Sequence, residues 1–326
     1  MKILFISLGC DKNLADSEEM LGLLTGNGHE IVDSEEEADA IVINTCCFIH
    51  DAKEESVNTI LEMAEYKKTG TCKILIVTGC MAQRYKEEIT EEIPEVDAVL
   101  GTTSYGDIVK ALNEAEAGHV FQEFKDINAL PEDSGRRVIT TGGHFGYLKI
   151  AEGCDKHCTY CIIPSLRGKF RSVPEERLLK QAEYMASQGV RELILVAQET
   201  TVYGTDLYGK KTLHLLLKKL CQIRGIRWIR VLYCYPEEIY DELIQVMKAE
   251  PKICHYLDLP IQHASDKILR RMGRRTSKQQ LIDIITKLRR EIPDIVLRTS
   301  LITGFPGETE EDHQELMEFV DEIEFD

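Results

Sequence analysis

Three cysteines, Cys154, Cys158 and Cys161, fall within eight residues of the stretch AEGCDKHCTYCIIPSLRG. Thiolates are soft ligands suited to iron–sulfur clusters and to zinc. Tetrahedral zinc and ordinary clusters take four protein ligands, and no fourth cysteine stands nearby. Three thiolates on one loop can hold three irons of a 4Fe–4S cube and leave the fourth open. An open, Lewis-acidic iron can chelate the amino and carboxylate groups of a small ligand. The competing readings are three buried cysteines acting as small hydrophobes, or zinc completed by a remote His157 or His144. A second set is dispersed: Cys10 ends ILFISLGC, Cys46 ends AIVINTC and Cys80 ends ILIVTGC. Three thiolates converging from there could hold a second cluster, with buried core cysteines as the alternative. Cys47 adjoins Cys46, but neighbours in extended chain point to opposite sides. Cys72, Cys221, Cys234 and Cys254 form no useful spacing and read as small hydrophobes.

The elements that must position these thiols are legible as apolar runs. KILFIS (2–7), AIVIN (40–44), KILIVTG (73–79) and DAVLG (97–101) have the β-branched, apolar character of buried parallel strands. Helical stretches lie between them: NLADSEEMLGLLTGNG, and DAKEESVNTILEMAEYKK with Asp51 as its cap. This is a doubly wound α/β pattern. Cys10, Cys46 and Cys80 each follow a strand, so all three reach the carboxyl edge, where open α/β sheets bind ligands. Residues 126–146 lose periodicity and gain Pro, Gly and Ser. Domain boundaries are set at 1–128, a linker at 129–143, and 144–326. After the linker the alternation resumes. GYLKIA, VRELILVAQ, IRWIRVLYCY, YLDLP and IVLRTSLITG read as strands. PEERLLKQAEYMASQG, LHLLLKKLCQI, PEEIYDELIQVMKA and TSKQQLIDIITKLRREIP read as helices, Pro174 opening the first of these and Gly189 lying past its end. Repeated βα units of this kind make a barrel or part of one. The C-x-x-x-C-x-x-C loop then follows a strand end, where barrel enzymes place their chemistry.

The chain has 326 residues, about two domains' worth. Its 43% hydrophobic and 29% charged content is that of a globular protein with a real core. No apolar run approaches the roughly 20 residues of a membrane span. The start MKILFISLGC lacks the pattern of an export signal, so a reducing cytoplasm is expected, where eleven cysteines point to metal or redox chemistry. Net charge is −17, carried unevenly: residues 1–135 hold 10 Lys+Arg against 28 Asp+Glu, and residues 136–326 hold 29 against 28. The acidic half argues against nucleic acid as its direct partner and suits a basic protein. The run Lys267, Arg270, Arg271, Arg274, Arg275 and Lys278 is of a kind that can grip phosphates, but it reads first as a solvated helix face.

The cysteine spacing, with Tyr160 before the last cysteine, resembles the signature of the radical S-adenosylmethionine (SAM) superfamily. SLGCDKNLADSE, NTCCFI, TGCMAQRY, GCDKHCTYCIIPSLRG, VAQETTVYG, LPIQHASDKILRRMGR and TGFPGET resemble successive motifs of the radical SAM methylthiotransferases. SLGCDKN and CIIPSLRG are closer to the RimO type, which acts on a ribosomal protein aspartate, than to the tRNA-modifying MiaB type. The resemblance implies an N-terminal doubly wound parallel-sheet domain followed by a partial (β/α) barrel. It implies two 4Fe–4S clusters, a radical-generating one on Cys154, Cys158 and Cys161 and an auxiliary one on Cys10, Cys46 and Cys80, with Cys47 in the free position of N-T-C-x-F-I. It further implies S-adenosylmethionine contacts from Gln198 and Glu199, which fall where the superfamily has a Gly-Gly-Glu-like turn, and from Gly304 in TGFPGET.

The implied chemistry is a one-electron cleavage of S-adenosylmethionine to a 5′-deoxyadenosyl radical. That radical takes hydrogen from the β-carbon of an aspartate on the twelfth small-subunit ribosomal protein, and a methylated sulfur is then delivered from the auxiliary cluster. A basic ribosomal protein is the expected partner, with flavodoxin or ferredoxin as electron donor; no membrane is involved and nucleic-acid contact is secondary. The alternatives are a MiaB-type enzyme acting on tRNA adenosine and a non-catalytic iron–sulfur or zinc module. Family members continue into a small β-rich TRAM domain. None is expected here, and the ending VDEIEFD reads as a chain cut short as another strand begins.

Overall fold

The computed structural model describes residues 1–132 and 135–326. The chain divides into two compact units: Met1–Thr140 with Ile162–Lys169, and Thr141–Cys161 with Phe170–Asp326. The grouping of 162–169 with the first unit is not announced by the sequence. The expected linker, 129–143, contains residues 133 and 134, which lie outside the described residues.

The first unit is built on β1 (Lys2–Ser7), β2 (Glu30–Val32), β3 (Ala40–Thr45), β4 (Ile74–Gly79), β5 (Ala98–Leu100) and β6 (Phe121–Glu123). They form one parallel sheet in the order β2-β1-β3-β4-β5-β6. The central strands β3 and β4 are buried along their whole length, which is why they read as unbroken apolar runs. Alternate residues serve opposite faces. Ala40, Val42, Ile74 and Ile76 pack with Met20 and Leu24 of α1 (Asp11–Gly26) and Ile108 and Leu112 further on. Ile41, Ile43, Leu75 and Val77 pack instead with Ile60 and Met63 of α2 (His50–Thr69) and Met81 of α3 (Cys80–Arg84). The same core takes in Leu166 from α6 (Ile163–Arg167), which follows α4 (Lys86–Glu92) and α5 (Ile108–Glu116). The strand order reverses between β1 and β3, a topological switch point.

The second unit carries a parallel sheet of β7 (Phe145–Lys149), then β10 (Glu192–Val196), β11 (Trp228–Val231), β12 (Ile253–Asp258) and β13 (Val296–Arg298), in that spatial order. Between β7 and β10 in sequence, β8 (Ala151–Glu152) and β9 (Arg171–Ser172) form a short antiparallel pair. Helices Glu175–Ser187, Leu213–Cys221, Asp241–Ala249 and Lys278–Glu291 carry the chain back between sheet strands. This is the expected partial barrel.

Several local expectations change. The edge strands β2 and β6 escape the sequence reading because three half-exposed residues give no apolar run. α2 starts at His50, with Ile49 in the capping position, so Asp51 sits in the first turn and acts on the helix dipole instead of capping it. The helix read from Pro236 is a 3₁₀ turn, Pro236–Glu238, followed by a separate helix. The basic run is not one helix face. It is divided between helix Asp266–Arg271, a turn, and the start of the helix at Lys278, and Arg274 is buried. After the last helix, Glu310–Ile323, Asp326 donates its N–H to Leu297 O and accepts from Leu297 N, alongside β13.

Candidate functional site

In the first unit, Cys46 and Cys80 directly follow β3 and β4 and Cys10 stands three residues past β1, so the carboxyl edge around the switch point carries all three. Cys10 is extended and occupies the cap position of α1. Gly9 before it takes a positive φ of 88°, and a Cβ there would lie 2.9 Å from Cys46 Sγ and 2.6 Å from its Cβ. Glycine is therefore what lets the first and third strand ends close on each other. Cys80 opens α3 after Gly79, whose φ is 92° and whose added Cβ would meet Asn44 Oδ1 at 2.3 Å. Cys46 is fixed by Ser56, whose hydroxyl accepts from its N–H and donates to its carbonyl.

Asn13 ties the trio together. Its amide donates to Leu8 O at 3.1 Å and Thr45 O at 2.9 Å, beside the first two cysteines. Its Oδ1 lies 3.8 Å from Cys80 Sγ. Cys46 and Cys80 are 6% exposed. Burial raises both thiols, Cys80 to about 12, and the Cys10 sulfur adds to the shift in each, while the Arg167 guanidinium offsets it. Burial thus favours the neutral form of the Cys46 and Cys80 thiols. Cys47 turns the other way, donating to Cys80 O at 3.3 Å within the core, as the alternation of side chains requires.

Arg167 is the residue that sequence reasoning missed. It is 2% exposed. Its Nη1 donates to Asp16 Oδ2 at 2.8 Å and its Nη2 to Asn13 Oδ1 at 2.5 Å. A buried guanidinium without such a partner costs roughly 3–5 kcal/mol. The only local clue was the motif SLRG, where Gly168 has a φ of 70° and an added Cβ would lie 2.5 Å from Ile127 O.

In the second unit, Cys154 follows β8, after Gly153 with a φ of 72°. Its sulfur accepts from Lys156 N–H at 3.4 Å, and Cys161 N–H bonds Cys158 O at 3.0 Å, winding the loop back on itself. The loop is anchored from outside: Thr159 N–H bonds Met272 O at 3.0 Å, and a Cβ on Gly273 would meet His157 O at 2.8 Å. Burial pushes the Cys154 thiol up to about 12; the Lys156 N–H resists, and the charges of Glu199, Cys161 and Cys158 add to the shift. Tyr235, after β11, brings its hydroxyl to 4.0 Å from Cys158 Sγ. Its ring is faced by Lys156 at 5.1 Å and by Arg274 at 4.3 Å. Tyr235 and Arg274 were also missed, since stacking between residues 39 apart leaves no local pattern.

Glu199 lies just past β10 and is 1% exposed. One carboxylate oxygen accepts from the Thr201 hydroxyl; the other, Oε2, has no hydrogen-bond partner, and neither has Gln198 Oε1. Burial raises the Glu199 carboxyl to about 8, against the Thr201 bond and the Lys156 charge. Two buried acceptors without donors next to a cysteine loop fit a ligand carrying an ammonium group. Gly304 has a φ of 71° in an exposed turn. That turn is tied to the cysteine loop through Phe305, edge-on to Tyr160 at 6.4 Å.

Among the described residues, no three His, Cys, Asp or Glu side chains gather as ligands of one metal ion. A zinc ion completed by His144 or His157 is not the arrangement formed; His144 stands before β7, at the opposite end of the strand from the cysteine loop. A cube sets a different demand, because each thiolate takes its own iron and the sulfurs stand apart around one cavity.

A model of a family described only as the uncharacterised protein family UPF0004 matches residues 2–101, and one of the radical SAM superfamily matches residues 148–320. Among solved structures, the chain is similar to the radical SAM methyltransferase TsrM from Kitasatospora setae, with a TM-score of 0.70 at 13% identity over 99% of this chain and 70% of that one. It is also similar to the cobalamin-dependent SAM radical enzyme OxsB, with a TM-score of 0.65 at 16% identity over 98% of this chain and 51% of that one. At such identities the likeness concerns the fold. Sequence relatives are nearer. The ribosomal protein uS12 methylthiotransferase RimO of Lachnoclostridium phytofermentans is 68% identical over all of this chain and 74% of its own length. That of Clostridioides difficile is 52% identical over 73% of its length. The chain belongs to the RimO family of radical SAM methylthiotransferases, enzymes of the transferase class.

Proposed function

We propose that this chain adds a methylthio group to the β-carbon of an aspartate in ribosomal protein uS12, in the cytoplasm, using electrons from a flavodoxin- or ferredoxin-type donor. Cys154, Cys158 and Cys161 hold the cluster that meets S-adenosylmethionine, and Cys10, Cys46 and Cys80 hold the auxiliary cluster. When bound, these groups supply the one-electron cleavage and the sulfur that side chains alone lack. The chain's own residues bind and orient. Glu199 Oε2 and Gln198 Oε1 would receive the methionine ammonium, and Gly304 would contribute a cofactor contact. Tyr235 shields Cys158, and Gly9 and Gly79 permit the close approaches at the ends of β1, β3 and β4.

The observation that carries this reading is the pair of three-cysteine sets, one at the carboxyl edge of a parallel sheet and one on the loop after β8, in a chain 68% identical to a uS12 methylthiotransferase. The excess of acidic residues in 1–135 supports a basic protein substrate. The test is mass spectrometry of uS12 and of digested tRNA from cells lacking and re-supplied with the gene. The methylthio mass is expected on the uS12 aspartate only. Its appearance solely on tRNA adenosine would assign the MiaB-type reaction instead.

A further inference from the structure

α6 begins two residues beyond Cys161 in sequence, yet it belongs to the first unit. Leu166 joins the core beneath Cys80 and Met81. Its carbonyl accepts from the Thr102 hydroxyl at 2.8 Å. Lys169 N–H bonds Asn128 Oδ1 at 3.0 Å, and Gly168 is pressed against Ile127 and Asn128. The outcome of this anchoring is that one guanidinium, that of Arg167, is delivered to the carboxyl edge of the first sheet. There it shares Asn13 Oδ1 with Cys80 Sγ and is fixed in its plane by Asp16.

We infer that Arg167 is a positioning residue for the cluster on Cys10, Cys46 and Cys80: its buried positive charge sets that cluster's reduction potential, and Asp16 and Asn13 hold it in register with the thiolates. The inference rests on the cluster assignment proposed above and extends it to residues outside the ligand set. Its physical basis is general. Reduction adds an electron to a site already carrying three thiolate charges, and a fixed cation beside it, with little water to screen it, favours the reduced form. Hydrogen bonds toward cluster sulfurs act in the same direction. Arg167 also offsets the burial penalty on both the Cys80 and Cys46 sulfurs, which places its charge within reach of two of the three thiols. Asp16 is 3% exposed and opposes that charge, so the two side chains pull the potential in opposite directions.

The opposition provides the test. In the full chain with Cys154, Cys158 and Cys161 all replaced by alanine, only the first cluster can form. After anaerobic reconstitution with iron and sulfide, its midpoint potential is measured by redox titration followed by electron paramagnetic resonance. About four irons per chain are expected. Arg167→Gln is expected to move the midpoint to more negative potential, Arg167→Lys to recover part of the shift, and Asp16→Asn to move it the other way. A merely structural role would loosen the site alike in Arg167→Gln and Asp16→Asn and could not give shifts of opposite sign. The inference is overturned if Arg167→Gln retains its iron at an unchanged midpoint, or if Arg167→Gln and Asp16→Asn shift it in the same direction. Should Arg167→Gln fail to take up iron, the Arg167→Lys and Asp16→Asn pair decides by the same signs. If the parent with three alanines binds no iron at all, the cluster assignment itself falls, and this inference with it.

Discussion

Glu199 is where a single side chain decides most. Its carboxyl is buried beside a cysteine loop, one oxygen satisfied and the other not. Burial raises it from an ordinary 4.5 to about 8. The native chain therefore keeps a proton that the unfolded chain releases between those values. Stability from this group is complete below pH 4.5 and declines as pH rises toward 8. Thermal melts of the cluster-free chain should show this: replacing Glu199 with Gln should flatten the decline, and an identical pH profile would show that the carboxyl is not held protonated. Under the proposed assignment, the methionine ammonium takes the place of that proton. Charge-assisted hydrogen bonds contribute about 1.5–3 kcal/mol, so Glu199→Gln in reconstituted enzyme should weaken S-adenosylmethionine binding roughly 10- to 100-fold. Equilibrium dialysis reads this directly, and undiminished binding would remove Glu199 from the site. The sequence pointed to Glu199 through its resemblance to the superfamily's Gly-Gly-Glu-like turn, but its orphaned oxygen is a property of packing that no local pattern encodes.

At the scale of elements, the strand-to-helix turns set where the thiols stand. β1, β3 and β4 were legible because strands buried on both faces are apolar runs, and the cysteines ending them were legible for the same reason. β2 and β6 were not, since short edge strands need no such run. α6 was not read as an element at all. Five residues following a cysteine loop have no period, and the anchoring that makes it part of the first unit comes from Thr102, Ile127 and Asn128, far away in sequence. Gly79 is the most exacting position of these turns. Its φ of 92° and the 2.3 Å approach to Asn44 Oδ1 leave no room for a methyl group. Gly79→Ala should destabilise the first unit by about 1–3 kcal/mol and selectively lower iron at Cys10, Cys46 and Cys80. Denaturant melts with iron counts in the alanine background lacking the second cysteine set would check this; full stability with full iron would show that the turn is not constrained as described.

At the scale of the molecule, each unit carries a parallel sheet and one set of three cysteines, on strand ends in the first unit and on a single loop after β8 in the second. The two families of cysteine were separable in sequence because one is compact and the other is spread across three strand ends. The charge contrast between the halves was likewise legible. What the whole-chain pattern did not reveal is the second ring of residues, Asn13, Asp16 and Arg167 in one unit and Tyr235 and Arg274 in the other, because tertiary contacts alone bring them to the cysteines.

The central claim is that each trio independently holds one cube. Iron and acid-labile sulfide counts after anaerobic reconstitution test it most directly, on the parent, on Cys154→Ala and on Cys80→Ala. About eight irons and no zinc are expected for the parent, and each variant should lose one cluster while keeping the electron paramagnetic resonance signal of the other. A parent that holds only four irons, or a single substitution that empties both sites, would contradict the account.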